Sequence, residues 1–166
     1  MDVVHYYGSG QYERDVISAF SASKKLLDRF PNPPIGSRVY VGFDIDDTVL
    51  CTAGHSMTGI PRLHPNKVPP RFEQSVEGFL PSVPGALVFY QHVMTKGFTP
   101  IFVTARRETP EGRDFTHVNL QREGFTGYGG LVMRDDTQVS NESYKQDAIM
   151  RLQHQHGPMV LFLGDQ

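Results

Sequence analysis

Three carboxylates fall within four residues in the run Asp44-Ile45-Asp46-Asp47-Thr48. They follow directly on a short apolar stretch, 38–43, rich in β-branched and aromatic side chains. Like charges held that close repel one another, and burying them is costly. A bound divalent cation relieves the repulsion. Oxygen-only ligands favour a hard ion, and Mg²⁺ is the usual one beside phosphate. A carboxylate beside such a metal can attack an electrophile and form an aspartyl-phosphate. A second carboxylate nearby can protonate the leaving oxygen and then activate water. The plainer alternative is an acidic turn that caps a helix.

Three further sets of residues could join this chemistry. Thr104-Ala105-Arg106-Arg107 offers a hydroxyl, turn amides and a guanidinium, which suit phosphate oxygens. Its alternative is a threonine cap followed by solvated arginines. Lys145 stands near the start of a helical stretch, where its ammonium can balance a carboxylate cluster and a bound phosphate. Its alternative is an ordinary surface lysine. Gly164-Asp165 pairs a residue that permits close backbone approach with a carboxylate that can complete a metal site, or forms a simple turn. Weaker candidates are His154-Gln155-His156, read as a solvated cationic helix end, and Arg134-Asp135-Asp136, read as a polar loop.

These sets matter because of the elements that must carry them. Apolar residues at helical spacing predict a helix over 11–30, stopped by Pro31-Asn32-Pro33-Pro34. A strand over 38–43 ends at Asp44. Ser82 and Pro84 mark the start of a second helix, and Gly97 its stop. A strand over 100–103 ends at Thr104, a helix covers 111–123, and a strand covers 131–133. A helix over 141–156 and a strand over 159–163 follow, the latter ending at Gly164-Asp165. Apolar strands alternating with helices imply an α/β fold, a mostly parallel sheet with helices on both faces. In such sheets ligands bind beyond the carboxyl ends of the strands, where all four sets stand.

The stretch 51–82 breaks the pattern. It holds Pro61, Pro65, Pro69, Pro70 and Pro81 with little periodicity, and is long for a connection. It reads as a functional insertion after the first strand. His55, Arg62, His64, Lys67, Arg71 and Phe72 within it are open to substrate contact or to a plain surface role.

Val41-Gly42-Phe43-Asp44-Ile45-Asp46-Asp47-Thr48-Val49-Leu50 resembles the first motif of the haloacid dehalogenase (HAD) superfamily of phosphatases, and is very similar to that of the class B acid phosphatases. Phe102-Val103-Thr104-Ala105-Arg106 resembles the second motif, with Ala105 where the class usually has glycine. Lys145 fits the third motif and Gly164-Asp165 the start of the fourth. The resemblance implies a three-layer, HAD-like (Rossmann-like) domain over 1–166, with 51–82 a cap-like insertion. It implies Asp44 as nucleophile and Asp46 as general acid and base. Thr104 and the amide of Ala105 would bind the phosphoryl group, with Arg106 near the substrate and Lys145 balancing charge around Asp44. Asp44, the Asp46 carbonyl and Asp165 would hold Mg²⁺. The implied activity is that of an acid phosphatase or nucleotidase on small phosphomonoesters, nucleotides included, with transfer to alcohols as a variant. Class B enzymes are typically secreted homotetramers. Relative to the family, the chain is expected to lack the second acid of the fourth motif, together with a further strand and helix.

Composition bounds the rest. The chain has 166 residues, 39% hydrophobic and 20% charged, with a net charge of −2, which suits one globular domain. No basic block favours stable nucleic-acid binding. Cys51, the single cysteine, leaves no internal disulfide and no cysteine zinc cluster. No apolar run approaches a membrane span, and the start carries no secretory signal, so a cytoplasmic setting is expected unless a signal has been removed. A binding module without turnover, motivated by the short carboxyl end, and a phosphoaspartate receiver domain remain as alternatives.

Overall fold

The computed structural model describes residue 6 and residues 8–52, 79–135 and 141–164. Among the described residues four helices and four strands alternate: α1 (Gln11–Leu27), β1 (Tyr40–Phe43), α2 (Ala86–Thr95), β2 (Thr99–Arg107), α3 (Pro110–Arg122), β3 (Leu131–Arg134), α4 (Asn141–His156) and β4 (Met159–Leu163). The strands form one sheet in the order β3-β2-β1-β4. Every pairing is parallel. The α/β architecture expected from the alternation is the one observed.

The period-2 alternation of strand side chains explains the layers. Val41, Phe43 and Phe102 point to one face, where they pack with Phe20 and Leu27 of α1, Phe89, Tyr90 and Val93 of α2, and Leu120 of α3. Tyr40, Ile101 and Val103 point to the other, against Tyr144, Ala148 and Leu152 of α4. All four residues of β1 are buried, as a central parallel strand requires. β1 and β4 approach tightly at Gly42, where a Cβ would lie 2.5 Å from the Phe162 ring.

Element ends differ from the periodicity in ways that bear on the site. α2 starts at Ala86, after Gly85 in a left-handed conformation, rather than at Ser82. The preceding residues have other backbone partners: Val83 N–H donates to the Val49 carbonyl and Cys51 N–H to that of Pro81. This pairing ties the foot of the insertion to the loop after β1. α3 starts at Pro110, because the Thr109 hydroxyl accepts from Gly112 N–H as an N-cap and proline suits the first turn. β2 runs past Thr104 to Arg107 with a bulge, because Arg107 regains register opposite Arg134. Residues 53–78, which include His55, Arg62, His64, Lys67, Arg71 and Phe72, lie outside the described residues. Among the described residues no helix is long and apolar enough to cross a membrane.

Candidate active site

The acidic run does not act as one cluster; each carboxylate has its own partner. Asp44 is the first residue past β1, and its N–H still donates to the Leu163 carbonyl at 2.8 Å. Its backbone is therefore fixed between β1 and β4, and the residue is only 4% exposed. Asp44 Oδ1 accepts from Ile45 N–H at 2.8 Å. Asp44 Oδ2 accepts from Lys145 Nζ at 2.5 Å. Burial still dominates and pushes the Asp44 carboxyl above the usual carboxylate range, with Lys145 acting in the opposite direction.

Asp46 faces Arg106 in a bidentate pair. Arg106 Nη2 donates to Oδ1 at 2.7 Å and Nε to Oδ2 at 3.0 Å. The guanidinium side of this pair is 2% exposed and the carboxylate side 29%. Asp46 is thus the member that reaches outward, and Arg106 holds it from beneath. The arginine expected near the substrate has its guanidinium committed to Asp46 and to the Thr116 hydroxyl, 3.1 Å from Nη1.

Asp47 is structural. It has a positive φ of 55°, a conformation that aspartate tolerates better than most residues. Its carboxylate accepts from the amide and hydroxyl of Thr52. Three amides, of Thr48, Val49 and Leu50, converge on the Ile45 carbonyl and close the loop. The loop that presents Asp44 and Asp46 is therefore braced from its own far end.

The parallel register brings the second set to the same place. Phe43 lies opposite Phe102, so Asp44 and Thr104 stand one and two residues past that pair. Thr104 is fully buried, and its hydroxyl accepts from Arg106 N–H at 3.2 Å across the β2 bulge. On the other side Phe43 lies opposite Leu163, and a Cβ on Gly164 would stand 3.9 Å from that of Asp44. Asp165 lies outside the described residues. Among the described residues no three His, Cys, Asp or Glu side chains gather as a metal-holding group. The oxygen donors nearest such a role are the Asp44 carboxylate and the Asp46 carbonyl, to which no described backbone amide outside the helices and strands donates.

Asp44, Asp46, Lys145, Thr104, Ala105 and Arg106 thus occupy the carboxyl ends of β1 and β2 or the start of α4. Sequence reasoning missed Thr116 and Asn119. Both are buried polar residues one helical turn apart on α3, and Asn119 exchanges two hydrogen bonds with the Leu80 backbone. The signal available was a pair of short polar residues at the i, i+3 spacing beside Leu120. His154 lies on the last turn of α4, nine residues beyond Lys145.

A family model described as HAD superfamily, subfamily IIIB (Acid phosphatase), matches residues 1–166. The chain belongs to this acid phosphatase subfamily. No curated protein matches it. Among solved structures it is similar to the class C acid phosphatase from Bacillus anthracis, with 18% identity and a TM-score of 0.73. The same enzyme with tungstate bound is 17% identical, also with a TM-score of 0.73. Each match covers 98% of this chain and 66% of the other, so the chain spans about two thirds of their length. At that identity the likeness is one of fold, and it agrees with the three-layer architecture inferred from sequence.

Proposed function

We propose that this chain is a Mg²⁺-dependent phosphomonoesterase that works through a phosphoaspartate at Asp44. The observation that carries the reading is the state of Asp44: a buried carboxylate at the end of the central strand, held by Lys145 Nζ and Ile45 N–H. A carboxylate so fixed is a positioned nucleophile, and its burial strips the water that would blunt it.

The residues divide the work. Asp44 attacks the phosphorus of a phosphomonoester, forming an Asp44–O–P bond as the bond to the leaving oxygen breaks. Asp46, as the acid, gives the leaving oxygen its proton. Each Asp46 oxygen facing Arg106 keeps a second lone pair for a proton, and the 29% exposure of its side chain provides access. Asp46 then takes a proton from water, whose oxygen attacks phosphorus and releases phosphate and free Asp44. Thr104 and the Ala105 amide support the phosphoryl oxygens at the β2 bulge, and Lys145 offsets the gathered negative charge. Asp44, the Asp46 carbonyl and Asp165 would hold Mg²⁺, whose charge when bound neutralises phosphoryl oxygens. The oxygen-only donor set suits that ion. The tungstate in the Bacillus anthracis relative, a tetrahedral oxyanion, supports the same substrate shape. Small phosphomonoesters, nucleotides among them, are the proposed substrates, with alcohols as alternative acceptors to water.

The test is hydrolysis of an aryl phosphate by purified protein, with Mg²⁺, with chelator, and with Asp44→Asn. Turnover that needs both the metal and Asp44 supports the reading. Equal turnover in Asp44→Asn would overturn it. A folded protein that binds phosphate without turnover would make it a binding module.

A further inference from the structure

We infer that Thr116 is a positioning residue for the acid Asp46, acting through Arg106. The inference rests on the proposed role of Asp46 and adds a residue outside the strand-end motifs. Arg106 is buried, and a buried guanidinium must have its donors satisfied and its plane held. Two of its nitrogens form the fork on Asp46. That fork alone leaves the planar group free to rock about the carboxylate. The third nitrogen, Nη1, is fixed by Thr116 Oγ1 at 3.1 Å. Thr116 is 1% exposed and lies on the inner face of α3, so it is part of a rigid element rather than a loop. α3 is itself anchored at its start by the Thr109 cap and along the same face by Asn119 on the Leu80 backbone. The guanidinium plane, and with it the carboxylate plane of Asp46, is thereby referenced to α3.

The consequence concerns which substrates need the geometry. An aryl phosphate releases a stabilised phenolate with little help. An alkyl phosphate releases an alkoxide that must receive its proton as the P–O bond breaks. A misaimed Asp46 penalises the second far more than the first.

The experiment measures kcat/KM for p-nitrophenyl phosphate and for an alkyl phosphate in wild type, Thr116→Val, Thr116→Ser and Asp46→Asn, with thermal unfolding of each. Thr116→Val is expected to lower the alkyl-to-aryl ratio by about 10-fold or more, the scale on which outer partners of a working group act. Thr116→Ser, which keeps the hydroxyl, should restore most of it. In an Asp46→Asn background Thr116→Val should change the ratio no further, because the group it aims is gone. An unchanged ratio in folded Thr116→Val, or full additivity with Asp46→Asn, would overturn the inference. Should Thr116→Val not fold, the same ratio is read on Thr116→Ala, where water can fill the space. A wild-type ratio in Asp46→Asn would instead remove the acid role itself, and this inference with it. Wild-type turnover in the same assay separates either failure from that of the phosphatase reading.

Discussion

Asp44 and Lys145 stand 101 residues apart in the chain and 2.5 Å apart in the fold. Asp44 follows β1 directly and Lys145 lies near the start of α4, with α2, β2, α3 and β3 between them in the chain. The pair is buried on the carboxylate side and 18% exposed on the ammonium side. Asp44 is almost wholly withdrawn from water, so its charge depends on what the protein places beside it.

Removing that ammonium should cost both turnover and stability. Lys145→Met keeps much of the stem packing but strips Asp44 of its cation. The expected loss in kcat is about 10²–10³-fold, the scale of one preorganised electrostatic partner. The stability cost in chelator is roughly 2–3 kcal/mol, below the ~3–5 for a fully buried pair because Lys145 is partly solvated. Steady-state kinetics and urea unfolding check the two figures separately.

The contribution of Asp44 to metal-free stability should fall as pH rises from the ordinary carboxylate value upward. The folded-state Asp44 carboxyl lies above its unfolded value of 3.8, mainly through burial. The folded state therefore binds the proton more tightly than the unfolded one, and its advantage is lost as pH rises from 3.8 through the raised value. Asp44→Asn carries no such charge. In chelator, thermal unfolding should show the variant gaining on wild type across that window. A gap independent of pH would contradict the burial argument.

Gly42 is the point where β1 and β4 can least accept a side chain. In Gly42→Ala the new methyl would meet the Phe162 ring at 2.5 Å and Met159 Sδ at 2.9 Å. Met159 can swing aside more readily than the ring. A loss of about 1–3 kcal/mol is expected from overpacking. Because β4 carries Gly164 to within contact of Asp44, the same variant should also weaken Mg²⁺ binding measured by calorimetry.

Asn119 should be among the most sensitive polar positions outside the site. Its amide accepts from Leu80 N–H at 2.9 Å and donates to the Leu80 carbonyl at 2.8 Å, all of it within a fully buried side chain. Asn119→Ala leaves both backbone groups without their partner. Each unsatisfied group costs ~1–3 kcal/mol, so chemical denaturation should show one of the larger losses in a scan of α3. Hydrogen exchange at Leu80 should rise in parallel.

The amino-acid sequence by itself determined the order of the elements, the parallel layering, and the three strand ends and one helix start where the candidate residues stand. These rest on short-range information: apolar runs of strand length, helical spacing, and carboxylates placed directly after a buried strand. The tertiary structure alone decided which charged groups meet. Asp44, Asp46 and Asp47 look alike along the chain, yet one takes Lys145, one Arg106 and one Thr52. Those choices follow from a strand register and a bulge in β2 that turn Arg106 under Asp46. Thr116 was invisible for the same reason, since a threonine in a weakly amphipathic helix declares no partner. Its role exists only because α3 folds back over the end of β2. Local periodicity records which face of an element is apolar, while the pairing of buried polar groups depends on crossings that no local pattern encodes.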